Sequence, residues 1–166
     1  MRTEDTIFIA APAAAVFQVA ADVERWPDIL PHYRYVRFTS RAADGAAIVE
    51  MAAWRPFGVV RWPVWWISEM SSVPDQHIIR YRHIRGITSG MDVEWRIVGQ
   101  AGGSVVTIIH EWNGPRWPAI GRPAADFVIG PVFIHGIASR TLAGIGRWIT
   151  THSPAGSPAA RADHAC

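Results

Sequence analysis

The chain reads as an α+β domain in which one curved antiparallel β-sheet wraps around a long C-terminal helix, with two short helices after the first strand. Three observations predict it. From Tyr33 to Trp112 apolar residues recur with a period of two, interrupted at short intervals by turns bearing Gly, Pro or Asp. Before this region a short strand-forming segment runs into helical spacing, and after it one apolar stripe recurs at the spacing of a helix. An antiparallel meander of this length must curl. A helix laid on its concave side cannot fill that side, so a cavity is expected between them.

Taken in order, Thr6 to Ala10 is rich in strand formers and ends at Pro12, which suits the first turn of a helix. Val16, Phe17 and Ala20 then fall on one helical face, and Asp22 is a plausible cap for a second short helix that Pro31 stops. Strands are expected over Tyr33 to Ser40, Ala46 to Trp54, Val59 to Met70, Gln76 to Ile84, Met91 to Gly99 and Ser104 to Trp112. Their connections are short enough for hairpins. Asn113 to Pro123 is too rich in Gly and Pro to be regular. A helix is expected from about Ala124 to Thr151 with Ile134, Ile137, Ala138, Leu142, Ile145 and Ile149 as its stripe, and Gly130-Pro131 should kink it or delay its start. The domain therefore spans 1–151, and 152–166 reads as a disordered tail.

At 166 residues the chain is long enough for one domain with a substantial core, and 49% hydrophobic content is that of a globular protein. Nine Trp residues are a heavy load that favours a lined cavity over a solid sandwich. All 16 basic residues are Arg, yet the net charge is only +2 and no basic stripe appears, which argues against a nucleic-acid partner. The single cysteine, Cys166, leaves no disulfide framework. No signal peptide and no integral membrane segment are read, so the cytoplasm is the expected compartment. Metal-ligand spacing is absent, and neither a metal nor another cofactor is expected.

The densest chemical signal is Arg61 to Met70. Alternation puts Trp62, Trp66, Ser68 and Met70 on one side, an aromatic wall bearing a hydroxyl, and Trp65 on the other. An apolar wall with few polar groups suits a hydrophobic small molecule, although any one Trp is more often plain core. On the following strand Arg82 shares a face with Arg80 and Ile78 and is expected inward, with His83 outside. His110 shares a face with Val106, Ile108 and Trp112 and points inward, while His135 sits in an apolar helical segment. Either imidazole could act as acid or base near neutral pH, or be an ordinary core residue.

The element order, together with Ile9-Ala10-Ala11-Pro12, Val16-Phe17, Glu24-Arg25-Trp26-Pro27-Asp28 and Trp66-Ile67-Ser68-Glu69, resembles the START-related, helix-grip superfamily. Within it, roughly residues 5 to 150 look like polyketide aromatase/cyclases of the tetracenomycin type. The resemblance implies a pocket holding Trp26, Tyr33, Ser68 and Trp95, with Arg82 standing where the family has an Arg after Pro74 and before Met91-Asp92-Val93-Glu94-Trp95. His135 is similar to a His early in the family's last helix. Met70 departs from the pattern, since it replaces the Arg that closes the family's Trp-Val-Ser-Glu-Arg motif.

What the resemblance implies chemically is cyclisation of a poly-β-ketone tethered to an acyl carrier protein, with dehydration to an aromatic ring. Arg82, Tyr33 and Ser68 are then the expected catalytic residues: Arg82 stabilises the enolate, and the hydroxyls position oxygens. Arg82 could equally form a structural ion pair, for example with Glu50, Glu69, Glu94 or Glu111. Trp26, Trp54, Trp62, Trp66, Met70, Trp95, His110, Trp112 and His135 are the expected substrate-binding set. Arg116 and Arg122 could meet an acidic carrier protein, and Trp65 and Trp117 leave a homodimer open. The alternative is a non-catalytic carrier of a lipid, quinone or aromatic metabolite, which Met70 favours.

Overall fold

A computed structural model of the chain describes residues 1–43, 45–57, 60–114 and 134–152. The expected tail beyond His152, the helical segment expected before Ile134, and Arg116, Trp117 and Arg122 lie outside these residues.

Strand β1 (Arg2–Ile9) leads into α1 (Ala13–Ala21), a 3-10 turn (Val23–Arg25) and the one-turn helix α2 (Trp26–Ile29). Pro12 stands just outside α1 with an extended backbone, and Val16, Phe17 and Ala20 are buried. Asp22 caps nothing with its side chain, contrary to expectation. Its N–H instead donates to the Gln18 carbonyl at 3.1 Å and ends α1. Leu30, whose N–H donates to the Trp26 carbonyl at 2.7 Å, turns the chain out of α2 before Pro31.

The meander follows as β2 (Tyr33–Arg41), β3 (Ala47–Phe57), β4 (Val60–Val73), β5 (Ile78–Gly86), β6 (Asp92–Gln100) and β7 (Gly103–Glu111). Together with β1 they form one antiparallel sheet of order β1-β7-β6-β5-β4-β3-β2. The two short helices carry the chain from one sheet edge to the other. Helix α3 (His135–His152) packs on β1 and α1, burying Ala138, Leu142, Ile145 and Ile149 as the stripe predicts. Each Leu or Ile side chain among them removed from water contributes about 1.5–3 kcal/mol before entropy. This is a helix-grip fold.

The sheet's register settles which residues see the interior. On β6 the inward positions are Val93, Trp95 and Ile97, and the outward ones are Asp92, Glu94 and Arg96. Ile79 pairs with Trp95 and Tyr81 with Val93, so Ile79, Tyr81 and His83 face inward on β5. The opposite alternation was expected there. Arg80 and Arg82 instead project outward, opposite Glu94 and Asp92 in the register, and Arg82 Nη1 reaches Asp92 Oδ1 at 3.0 Å. Burying Tyr and His costs far less than burying two guanidiniums, and the outer face supplies each guanidinium with a carboxylate.

Where β5 meets β4 the pairing slips between Ile67 and Ser68, leaving Ile84 as an extra residue in β5. Gly86 lies just beyond, at φ +102° and opposite Trp66; a methyl group there would sit 2.7 Å from the Trp65 carbonyl oxygen. A side chain is therefore excluded by both backbone conformation and space. Gly86→Ala is expected to lower unfolding free energy by about 1–3 kcal/mol. Urea denaturation checks this: the midpoint should fall with an unchanged slope, and an unchanged midpoint would show that β4 and β5 are not held this closely.

Candidate functional site

Between the concave face of the sheet and α3 lies a narrow cavity of about 80 Å³. Its wall is an unbroken arc of rings. Trp95 on β6 meets Trp26 at the start of α2 with ring centres 5.6 Å apart, and Trp26 meets Tyr33, the first residue of β2, at 5.1 Å. Tyr33 then meets Trp66 on β4 at 6.2 Å, and Trp66 stacks on His83 at 6.0 Å with 21° between the planes. Met51 and Met91 fill gaps in the arc, and Ile134, Ile137 and Ala138 close it from the helix side. The slot is thin, and its unbranched methionines are the side chains best able to yield to a flat ligand.

Polar atoms enter this wall at two places. On the sheet side His83 Nδ1 is hydrogen-bonded to Thr88 Oγ1 at 2.7 Å, and His110 Nδ1 to Thr3 Oγ1 at 3.3 Å. Burial lowers the pKa of His83 to about 3, aided by the nearby His110, and that of His110 to about 4. Both imidazoles are neutral at pH 7. On the helix side, Thr141 donates to the Ile137 carbonyl at 2.9 Å and lies 3.5 Å from the Tyr33 hydroxyl and 3.1 Å from His32 Nε2. Burial drives the Tyr33 phenol well above its usual range, and the same holds for Tyr81. The Tyr81 hydroxyl is buried in the cavity wall with no hydrogen-bond partner among the described residues. An unmet donor in a dry wall is costly unless a ligand oxygen meets it.

Of the expected site residues, Trp26, Tyr33, Trp66, Trp95 and His110 line this cavity together. Ser68 and Met70 face inward and are buried, but the cavity stops short of them; the Ser68 hydroxyl has no partner among the described residues. Trp112 is buried, with its indole N–H donating to the Ser89 carbonyl at 3.0 Å.

Four residues lie elsewhere. Arg82 is on the outer face, paired with Asp92, for the register reason given above. Trp62 has the inward parity of Trp66, but it stands near the β3–β4 hairpin end and is 60% exposed. Trp54, which alternates outward from Ala53 and Arg55, stacks against the Arg34 guanidinium at 4.7 Å. His135 is exposed, and its Nδ1 is hydrogen-bonded to the carboxylate of buried Asp5 on β1. Burial raises the pKa of Asp5, and His135 partly offsets this.

Tyr81, His83, Thr88, Met91 and Thr141 are among the lining residues absent from the expected set, as are Met51, Val93 and Ile108. A signal for the first two was present: Asp92, Glu94 and Arg96 fix the outer face of β6, and a hairpin partner must alternate with it. Thr141 shows no comparable signal, because its role comes from contact with residues over a hundred positions away. Among the described residues, no group of three or more His, Cys, Asp or Glu side chains is placed to hold a metal, and no helix is long and apolar enough to cross a membrane.

The family model described as "polyketide cyclase / dehydrase and lipid transport" matches residues 9–132. A putative polyketide cyclase from Streptomyces cyaneus is 29% identical over 100 residues, a match spanning 56% of this chain and 60% of that protein. Among solved structures, the Zhui aromatase/cyclase from Streptomyces sp. R1128 superposes with a TM-score of 0.75 at 21% identity, covering 92% of this chain and 96% of that one. A START superfamily protein from Mycobacterium smegmatis superposes with a TM-score of 0.63 at 14% identity, covering 90% and 94%. At these identities the structural likenesses establish the fold.

The buried imidazoles make stability depend on pH. The unfolded chain takes up protons near pH 6.5, whereas folded His83 and His110 resist until about 3 and 4. Their contribution is complete above about pH 6.5 and is lost as the pH falls from there, with a limiting slope of about 1.4 kcal/mol per unit for each imidazole. Asp5, with its raised pKa, works in the opposite sense at the acid end. Urea denaturation at about pH 7.5 and about pH 5 should show the loss, and His110→Gln should reduce it by one imidazole's share. Equal pH dependence in both proteins would mean that His110 is hydrated in the folded state.

Proposed function

The chain belongs to the polyketide cyclase/dehydrase and lipid transport family, and from that membership we propose that it cyclises a poly-β-ketone in the aromatic cavity. The observation that carries the reading is the pairing of neutral buried imidazoles with the unmet Tyr81 hydroxyl in one dry aromatic slot.

Ring closure starts when a C–H between two carbonyls loses its proton. His110, neutral and hydrogen-bonded to Thr3 through Nδ1, takes the proton on Nε2. The electron pair moves onto a ketone oxygen, and the Tyr81 O–H donates to that developing charge without having to break an existing bond. The enolate carbon attacks a second carbonyl of the same chain, a C–C bond forms, and the new alkoxide takes a proton back from the imidazolium. Loss of the hydroxyl together with a neighbouring proton releases water and leaves the double bond. Trp26, Trp66 and Trp95 hold the folded chain flat while this happens. Desolvation weakens His110 as a base as well as keeping it neutral, so stabilisation of the enolate by Tyr81 is essential to this scheme. Arg82 has no role in it.

A second reading, binding and transport of a hydrophobic molecule without chemistry, is favoured by a specific observation. No charged side chain lines the cavity among the described residues, and Met70 stands where the aromatase pattern has Arg.

Tyr81→Phe separates the two readings. In an assay with a soluble poly-β-ketone mimic it is expected to lower turnover about 10²–10³-fold, the loss typical of removing one oxyanion donor. Stability should stay level or rise, because an unpaired buried hydroxyl is removed. Binding of the mimic without product by the unaltered protein would sink the cyclase reading in favour of the carrier.

A further inference from the structure

A second concave site lies behind the cavity wall. It is a surface hollow of about 360 Å³ lined by Leu30, His32, Trp54, Arg61, Arg140 and Arg147. Its charge is one-sided. Arg2, Arg25, Arg37, Arg41, Arg80, Arg82 and Arg96 each lie within 4 Å of a carboxylate on other parts of the surface. Arg61, Arg140 and Arg147 have no acidic partner among the described residues. Arg140 and Arg147 stand two turns apart on one face of α3 with Gly144 between them, and Gly144 faces Leu30 so closely that a methyl group there would overlap it.

The field inside the hollow is positive. Burial first, and then the charges of Arg140 and Arg147, lower the pKa of His32 to about 4, so it is a neutral hydrogen-bonding group there. Arg34, stacked on Trp54, adds a further guanidinium beside the rim. Three exposed arginines gathered in a concavity with no carboxylate among its described lining residues repel one another. Guanidinium forks also match the oxygens of a phosphate, which would relieve that repulsion.

The hollow and the cavity have no lining residue in common, but they approach each other at one hydroxyl. His32 Nε2 and the Tyr33 hydroxyl meet the same Thr141 hydroxyl, from the hollow and from the cavity respectively. The two sites are therefore neighbours across the Thr141 side chain.

We propose that this hollow is a phosphate-binding subsite that takes the phosphate ester at the trailing end of the cavity's ligand. The link to the cavity's ligand rests on the function proposed above; the anion site itself does not. Either a free phosphorylated cofactor or the phosphorylated arm of a carrier protein presents this chemistry.

Calorimetric titration of the full chain with inorganic phosphate, coenzyme A and unphosphorylated pantetheine tests it, alongside Arg140→Gln/Arg147→Gln, which changes exposed side chains only. Saturable phosphate binding that weakens at least about tenfold in the double variant, and that fades with added salt, is expected. Coenzyme A should bind more tightly than pantetheine in the unaltered protein and equally in the variant. If a phosphopantetheinylated carrier protein is retained at concentrations where coenzyme A is not, the source is the tethered arm; the reverse identifies the free cofactor. Uptake of neutral Nile red by both proteins reports the cavity separately, so loss of dye binding counts against the cavity reading and leaves the anion site standing. Absence of saturable phosphate binding at millimolar concentration, or equal affinity in the double variant, overturns the proposal.

Discussion

The register between β5 and β6 decides what the cavity is made of. Because side chains alternate with a period of two, a slip of one residue would turn Ile79, Tyr81 and His83 out to solvent and bring Arg80 and Arg82 in under α3. With Val93, Trp95 and Ile97 holding the inner face of β6, that slip is opposed by the loss of several kcal/mol of burial at Ile79 and Tyr81. The outer ion pairs, Arg80 with Glu94 and Arg82 with Asp92, agree with the register but add little energy of their own, being largely exposed. Their value lies in selection: the inward alternative would leave two guanidiniums in a wall of indoles without a carboxylate.

From this constraint follows the character of the site. A cavity lined by Trp26, Trp66 and Trp95 offers its polar groups little hydration, and burial there acts on all of them in the same direction, against charge. The imidazoles lose their protons and the phenols keep theirs. The wall thus contains hydrogen-bond donors and acceptors but no net charge among the described residues. Under the function proposed above, such a wall would select a ligand by the position of its oxygens, because one that fails to meet the Tyr81 hydroxyl leaves that group without a partner among the described residues.

The fold was legible in the sequence because its signals are long: six segments of period two, and a helical stripe from Ile134 to Ile149 whose buried members match the pattern. The site was legible only where a residue's face follows from its own segment. His110, flanked by Val106 and Ile108, could be placed by its neighbours. Strand β5 could not, since Ile78-Ile79-Arg80-Tyr81-Arg82-His83 offers an aliphatic residue to either face and the bulge at Ile84 disturbs the count beyond it. The strand was decided by its partner β6. Trp62 has the correct parity, and its exposure depends on where the cover over the sheet ends, which the sequence of one strand does not encode. His135 was drawn away from the cavity by Asp5, a contact across 130 positions.

That dependence on distant partners bears on how the two concave regions relate. Thr141 is the point where α3 touches both, because its hydroxyl is shared by His32 on one side and Tyr33 on the other while it bonds the Ile137 carbonyl of its own helix. A hydroxyl that donates to that carbonyl keeps two lone pairs, enough to accept from Tyr33 and from His32 at once. One oxygen thus ties the His32 side of the helix to the Tyr33 side, and neither neighbour has to give way to the other. The charged hollow and the uncharged slot are in this sense neighbouring halves of one arrangement, with the arginines kept at the surface and the neutral hydrogen-bonding groups kept in the aromatic wall.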